Sequence, residues 1–405
     1  MQAVIYEDGF EGGFGPATLL RPTFDLRCGA LLMREKLELR RPDWTVALVP
    51  RPGLAKLLGD ERPGRGVAGL GEDKTLFLSG CVLVDDGLLD FVEGLEHDCL
   101  LTEGQTVVGA LVSGDAVKLA HGLAEGRVYP QSLDLPRERA YPLRVVRRHW
   151  ELVDSTPEEL TRDAGLMAGR GKVAGEVHES AVMVSPELVS IGPGSTVAPG
   201  VVIEAGRGDV LVGADVAIMA NAYIEGPVYI GDGSLVRAGA RIYGGTSIGP
   251  VCKVGGEVSA SVIQSHSNKQ HDGFLGHSFV GSWVNLGAAT DTSDLRNDYR
   301  PVRVTIGGEE VDTGRLSVGS LIGDHTKTAI GTKLNTGSVI GAFCSVFPGR
   351  FPPKNLPSFS WGTPDGFVRY DVQRAVDTAR AVMVRRGVEL SPAREAAIRA
   401  AYERA

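Results

Sequence analysis

The chain has 405 residues, a formal net charge of −8 and 43% hydrophobic residues. That is material for two or three domains with a sizeable core, and it excludes a disordered chain. The acidic balance gives no electrostatic case for nucleic acid, and no run of about 18 apolar residues argues for a membrane span.

Five cysteines (28, 81, 99, 252 and 344) show no CxxC spacing. An odd number at irregular intervals reads as reduced thiols, not as a disulfide frame or a zinc site. The N-terminus shows no basic stretch followed by an apolar core, so a soluble, cytoplasmic protein is expected.

Residues 1–140 read as an α/β domain. Ala3–Tyr6, Trp44–Val49, Thr75–Val84 and Thr106–Leu111 are short apolar runs fit for buried strands, and Cys28–Arg40 has a helical pattern. Gly9–Pro16 follows the first strand, so Gly12 and Gly13 could offer backbone N–H groups to phosphate. No dinucleotide or Walker spacing is present, and a plain surface loop explains the segment too.

Arg21, Arg27 and Lys36 follow closely, and phosphoryl transfer needs cations around a triphosphate. The alternative is a solvated charged face. Asp85 and Asp86 come after the strand Phe77–Val84, where they could hold Mg²⁺ or merely close a strand-end turn. Residues 141–178 read as a helical connector. Its helix start is set at Ser155-Thr156-Pro157, with His149 and Trp150 packed at the domain boundary.

From 179 to 350 the sequence keeps a different beat. Val212, Ile218, Ile224, Ile230, Val236, Ile242, Ile248 and Val254 recur at every sixth position. Neither a helix nor a lone strand has that period. A three-faced coil of short strands does, with the aliphatics pointing inward. Repeats start near Val182 and the step breaks after Val254. Residues 257–273 read as a polar insertion carrying His266, Lys269 and His271. The register is expected to resume at Phe274, Val280 and Leu286.

A second insertion, Asp291–Thr313, turns at Gly307-Gly308, and Leu316, Ile322, Leu334, Ile340 and Val346 close the coil. Insertions in a solenoid commonly build its binding site. Cys252 and Cys344 read as small core residues, His266 as solvated, and His277 and His325 as hydrogen-bonded structural groups. Past Phe347 the repeat is expected to stop. Residues 351–405 then give two helices, Val368–Arg386 and Pro392–Ala405, covering the open end.

The run His271-Asp272-Gly273-Phe274-Leu275-Gly276, with Val280-Gly281 and Val284-Asn285-Leu286-Gly287-Ala288-Ala289-Thr290 after it, carries a resemblance. It resembles the acetyltransferase domain of the bifunctional UDP-N-acetylglucosamine pyrophosphorylase/glucosamine-1-phosphate N-acetyltransferase family. With LLRPTFDLRCG…REK, NKQHDGFLG and the segment Ile322–Gly341, the whole chain is similar to a divergent bacterial branch of that family.

The resemblance implies a nucleotidyltransferase-like α/β domain and a left-handed parallel β-helix, assembled as a homotrimer with active sites between subunits. It implies acetyl transfer from acetyl-CoA to an amino-sugar 1-phosphate, and nucleotidyl transfer from a nucleoside triphosphate with Mg²⁺. His271 matches the catalytic histidine, which takes a proton from the sugar amine. Asn285 matches an asparagine of the sugar or acetyl site. Arg300 stands near the place of a basic residue by the sugar phosphate, and Phe274 replaces a tyrosine that contacts sugar. Lys269 joins them as a substrate contact. The family's usual pyrophosphorylase signature is missing, so Arg21, Arg27 and Lys36 stand in for it by analogy. A single-activity enzyme and a non-catalytic trimeric scaffold are the alternatives.

Overall fold

The computed structural model describes every residue except 72 and 168. Three apolar runs form parallel strands β1 (Gln2–Tyr6), β2 (Thr45–Val49) and β3 (Thr75–Ser79). β4 (Cys99–Glu103) and β5 (Thr106–Val112) add an antiparallel arm, with β6 (Arg137–Glu138) beside β4, in the order β2-β1-β3-β5-β4-β6. Every residue of β1 and β3 is buried, because both faces of the sheet are covered. Leu88, Leu89 and Val92 of α3 (Asp86–Gly94) pack on Ala3 and Ile5. Leu119 and Leu123 of α4 (Ala116–Ala124) pack on Val4 and Tyr6, which point to the other face.

Two expectations change in this domain. The strand from Thr75 ends at Ser79, and Cys28–Arg40 is not one helix. Arg27-Cys28 pairs with Leu31-Leu32 in a hairpin, and only Glu35–Arg40 (α1) is helical. Gly29 makes the hairpin possible. Its φ is 79°, and a Cβ there would lie 2.5 Å from Asp163 Oδ2.

The expected connector is a wedge. Its helix, α5 (His149–Ala164), starts earlier than Ser155, with an Arg148/Glu151 capping box, and Pro157 falls inside it. Trp150, Leu152 and Val153 join a cluster with Val262 and Phe279 of the repeat region, and His149 is also buried at this boundary, as expected. Leu160 and Ala164 pack on Leu211 and Tyr229.

The six-residue beat winds into a three-faced coil of parallel strands. Its faces hold ladders of six, nine and eleven strands. Leu235 pairs with Lys253, eighteen residues on, so one turn takes three hexapeptides. Ile218, Ile224, Ile230, Val236, Ile242, Ile248 and Val254 stack in its interior with Cys252 and Cys344. Like the other three cysteines, these two are free and buried.

The coil is longer than the repeats suggest. It starts at Glu176–Val177 and continues past Phe347 through Asn355–Leu356 and Ser360–Thr363. Val182 and Leu316 are exposed, not inward, and Met183 packs on the core in place of Val182. Phe274 faces outward, and Leu275 takes its inward place.

Residues 257–273 are no insertion. Glu257–Ser259, Val262–Ile263 and Asn268–Lys269 continue all three ladders. Lys253 meets Asn268 after only fifteen residues, so the step breaks because corners were shortened. The second insertion is real: Asn285 reaches its partner Lys327 after forty-two residues. Its hairpin, Arg303–Ile306 with Glu309–Asp312, turns at Gly307-Gly308, both at positive φ.

The last two helices do not cover the open end. α6 (Val372–Val384) and α7 (Pro392–Arg404) pack through Ala375, Val376, Ala379 and Ile398 on Phe343 and Phe359 at a corner of the coil. Leu54 and Leu57 of the N-terminal domain complete that cluster, so the helices close a seam. The last strand of the eleven-stranded ladder is instead Gly366–Arg369, folded back antiparallel on Ser360–Thr363.

Candidate functional site

His271 lies in the turn that leads from the eleven-stranded face at Asn268–Lys269 to the six-stranded face at Phe274–Gly276. Its side chain is exposed. The turn itself is rigidly specified. Gly273 has φ 127°, and a Cβ there would lie 2.2 Å from Thr290 O, so only glycine fits beside the next coil. Ala289 N donates to Asp272 O at 3.0 Å, fixing the turn to that coil.

Asn285, exposed as its place beside inward Leu286 requires, lies one coil on along the eleven-stranded face. Phe274 N donates to Asp291 Oδ1 at 2.8 Å, and the Phe274 ring lies half-buried over Gly276 on the adjoining face. The His271 edge is thus flanked by an amide on one face and a ring on the other. Arg300 is 79% exposed on the second insertion, with Asp298 at 3.9 Å.

Lys269 corrects the expectation of a substrate contact. It pairs with Val254 in the ladder and points inward, 4% exposed. Its Nζ donates to the carbonyls of Gly255, His271 and Gly273 at 3.0, 2.8 and 2.6 Å, which pins the His271 turn from within. Burial lowers its pKa from 10.5 to about 8. Between those values the unfolded chain binds the proton and the folded one has released it, so this group's contribution to stability rises with pH. Measured against Lys269→Met, the wild-type chain is expected to gain about 3 kcal/mol between pH 8 and 10.5. Urea-unfolding midpoints at both pH values test this; a pH-independent difference would put the ammonium in water.

The nucleotide candidates separate. Gly12 and Gly13 lie in a 3₁₀ segment, Phe10–Thr18, that forms no phosphate cradle. A Cβ on Gly13 would strike Arg147 O, and Phe14 is buried beside Phe279 and Leu321 of the coil. Lys36 is fully buried, with Nζ 2.7 Å from Glu159 Oε2 and 2.8 Å from Asp163 Oδ1. Burial works against its charge, but Asp163 and Glu159 outweigh that and hold its pKa above the usual lysine value. It cannot meet a nucleotide. Arg21 and Arg27 do come together, lining a cavity of about 460 Å³ between this domain, the coil and the C-terminal helices.

Asp85 and Asp86 do not fit Mg²⁺. Asp85 caps α3 through Leu88 N, accepts from Tyr141 Oη at 2.6 Å and pairs with Arg162 at 2.8 Å. Asp86 points to solvent near Arg40 and Arg41. Among the described residues no three His, Cys, Asp or Glu side chains converge as a metal site.

Residues 3–171 match the sugar nucleotidyl transferase family, and residues 209–244 match the bacterial transferase hexapeptide family of six repeats. The bifunctional sugar-1-phosphate nucleotidylyltransferase/acetyltransferase of Sulfurisphaera tokodaii is 37% identical over 93 residues, which cover 23% of either chain. The bifunctional protein GlmU of Acidithiobacillus ferrooxidans is 33% identical over 152 residues, 36% of this chain and 30% of that one. Both relatives are named as bifunctional proteins, and the chain is similar to each over part of its length. The matches span less than a third of the length of these curated relatives. An Arabidopsis UDP-N-acetylglucosamine acyltransferase structure aligns at 15% identity over 51% of this chain and 76% of its own, with a TM-score of 0.24.

Two of the other histidines differ from expectation. His266 is not solvated: it stacks on Trp283 with centroids 4.2 Å apart. His325 is not hydrogen-bonded as expected: it is buried between Trp283 and Phe343 in the same row of rings, and neither ring nitrogen has a partner. His277 is hydrogen-bonded, as expected, with Nδ1 2.7 Å from Asp294 Oδ2 at the root of the second insertion. The cavity residues Arg62 and Arg394 carried no sequence signal, because their ion-pair partners, Asp25 and Glu61, are distant from them in the chain.

Proposed function

We propose that the chain acetylates the amine of an amino-sugar 1-phosphate, of the glucosamine 1-phosphate type, using acetyl-CoA. The observation that carries this reading is His271 itself: an exposed imidazole on an internally pinned turn, between outward Asn285 and Phe274. The amine nitrogen attacks the thioester carbonyl and His271 takes its proton. The carbon–sulfur bond breaks, and the CoA thiolate leaves to be protonated as free thiol. Arg300 stands free enough of Asp298 to meet the sugar phosphate. Asn285 and Phe274 lie on two faces of the coil, which suits a homotrimer whose ligands sit in clefts between copies.

The second reading, nucleotidyl transfer, is supported by the match of residues 3–171. The segments leaving the carboxyl ends of β1 and β2 run into the seam that Arg21 and Arg27 line, the end of a parallel sheet where ligands bind.

Acetyl-CoA with glucosamine 1-phosphate is expected to release free thiol, and UTP or dTTP with a sugar 1-phosphate to release pyrophosphate. Thiol release without pyrophosphate leaves a single-activity acetyltransferase. Silence in both assays, across amino-sugar phosphates, leaves a scaffold.

A further inference from the structure

Lys269 stands in an apolar stack. Its place continues the column Ile218, Val236 and Val254 on the eleven-stranded face, and Leu286 follows on the next coil, all inward. An aliphatic side chain fills each of those places, so the packing of the coil does not require an ammonium here. Burying a cation carries a cost that hydrocarbon does not.

What the lysine does is specific to one turn. Its three N–H groups match three acceptors: Gly255 O on the coil before, and His271 O and Gly273 O on either side of Asp272. The seat is shaped to the ammonium. Val254 and Val258 point inward only four residues apart, so the corner at Gly255-Gly256 is shortened against the six-residue beat. Gly256 has φ 68°, and a Cβ there would lie 2.8 Å from Lys269 Nζ, so only glycine leaves it room.

The charged groups around Nζ are Asp272 in the turn, Asp291 on the coil after, and the Glu257–Arg241 pair on the six-stranded face. Among the described residues none of them is its ion-pair partner, so the carbonyls alone hold it. Ala289 N secures the other side of the turn through Asp272 O. Of the two ties, only the lysine's can be undone by loss of a proton. A neutral amine has two N–H groups for three carbonyls and turns a lone pair toward the third.

We infer that Lys269 is a positioning residue for acetyl transfer: its ammonium holds the His271 turn, and with it the imidazole, against the coil. The inference rests on the acetyl-transfer reading and deepens it. His271 can take the amine proton only from within hydrogen-bond reach, so a loosened turn lowers turnover. Burial brings the pKa of Lys269 down to about 8, which puts the loosening just above neutral pH.

Thiol release from acetyl-CoA with glucosamine 1-phosphate, followed from about pH 6.5 to 9.5, tests it. In the wild-type chain kcat is expected to fall as pH rises through about 8. Lys269→Met, which continues the stack in hydrocarbon, is expected to lower kcat at neutral pH by about 10- to 100-fold, leave KM for acetyl-CoA unchanged and lose the alkaline fall. In a His271→Ala background the same substitution is expected to cost nothing more, because a positioning residue acts only through the group it places. The wild-type profile needs no variant, so the test stands even where Lys269→Met does not fold. A wild-type kcat that stays level across the range overturns the inference. So does Lys269→Met with unchanged kcat, or with a lowered kcat that still falls through the same pH. A raised KM for the amino sugar with kcat intact also overturns it and makes the lysine a substrate contact. Each of these results leaves the acetyl-transfer reading standing, whereas a wild-type chain that releases no thiol at any pH removes both.

Discussion

His271→Ala is expected to lower the turnover of acetyl transfer by about 10²- to 10⁴-fold, the usual worth of a positioned proton acceptor. The loss belongs in kcat. In the proposed reaction the imidazole acts on the attacking amine and not on the CoA chain, so KM for acetyl-CoA should move little. The fold should hold, since the side chain is exposed and its removal opens no cavity. His277→Ala is the decisive control. His277 already has a carboxylate orienting its ring, the arrangement of many general bases, but it sits at the far end of the Phe274–Gly276 strand, at the foot of the insertion. Thiol release that survives His271→Ala and disappears in His277→Ala would move the chemistry to that pair.

The coil was legible because an inward aliphatic at every sixth position is a local rule, and burial enforces it in each turn. The rule fails where polar residues go inside. Lys269 occupies the place of Val254 one coil on, and nothing in the sequence shows that three carbonyls are waiting for its ammonium. Three residues fewer in that turn then look like an insertion, because loss of register and gain of chain disturb the period alike. His271, Asn285 and Phe274 are candidates that resemblance alone supplies. Period alone puts Asn285 outside, next to Leu286, but it would have put Phe274 inside.

The N-terminal motif shows the limit more sharply. Arg21, Arg27 and Lys36 look alike in the sequence, as cations near glycines. Their fates depend on residues more than a hundred positions away: Asp324 for Arg21, Gln264 and Tyr229 beside Arg27, and Glu159 with Asp163 for Lys36. The hairpin at Arg27–Leu32 is a docking device as well. Ser247 Oγ donates to Gly29 O at 2.6 Å, and Arg27 N donates to Gln264 Oε1 at 3.1 Å, so the motif fastens the α/β domain to the coil.

Lys36→Met is therefore expected to act on stability, not on nucleotide affinity. It leaves Glu159 and Asp163 buried without their shared cation, a loss of about 3–5 kcal/mol for breaking such a pair. Arg144, 2.7 Å from Glu159, relieves one carboxylate, and Asp163 keeps only the N–H groups of Ala30 and Leu31. The deficit should depend on pH in a definite direction. Burial already raises the pKa of Asp163, and without Lys36 the folded state binds a proton there more tightly still than the unfolded chain does, so the variant's stability falls as pH rises from 5 to 8. Adding Asp163→Asn should return part of the loss, because a neutral amide needs no counter-ion. Urea unfolding of the three proteins at pH 5 and pH 8 measures all of this. If Lys36→Met unfolds like the wild type and instead raises KM for a nucleoside triphosphate, the lysine belongs to the substrate site and the buried cluster is not its role.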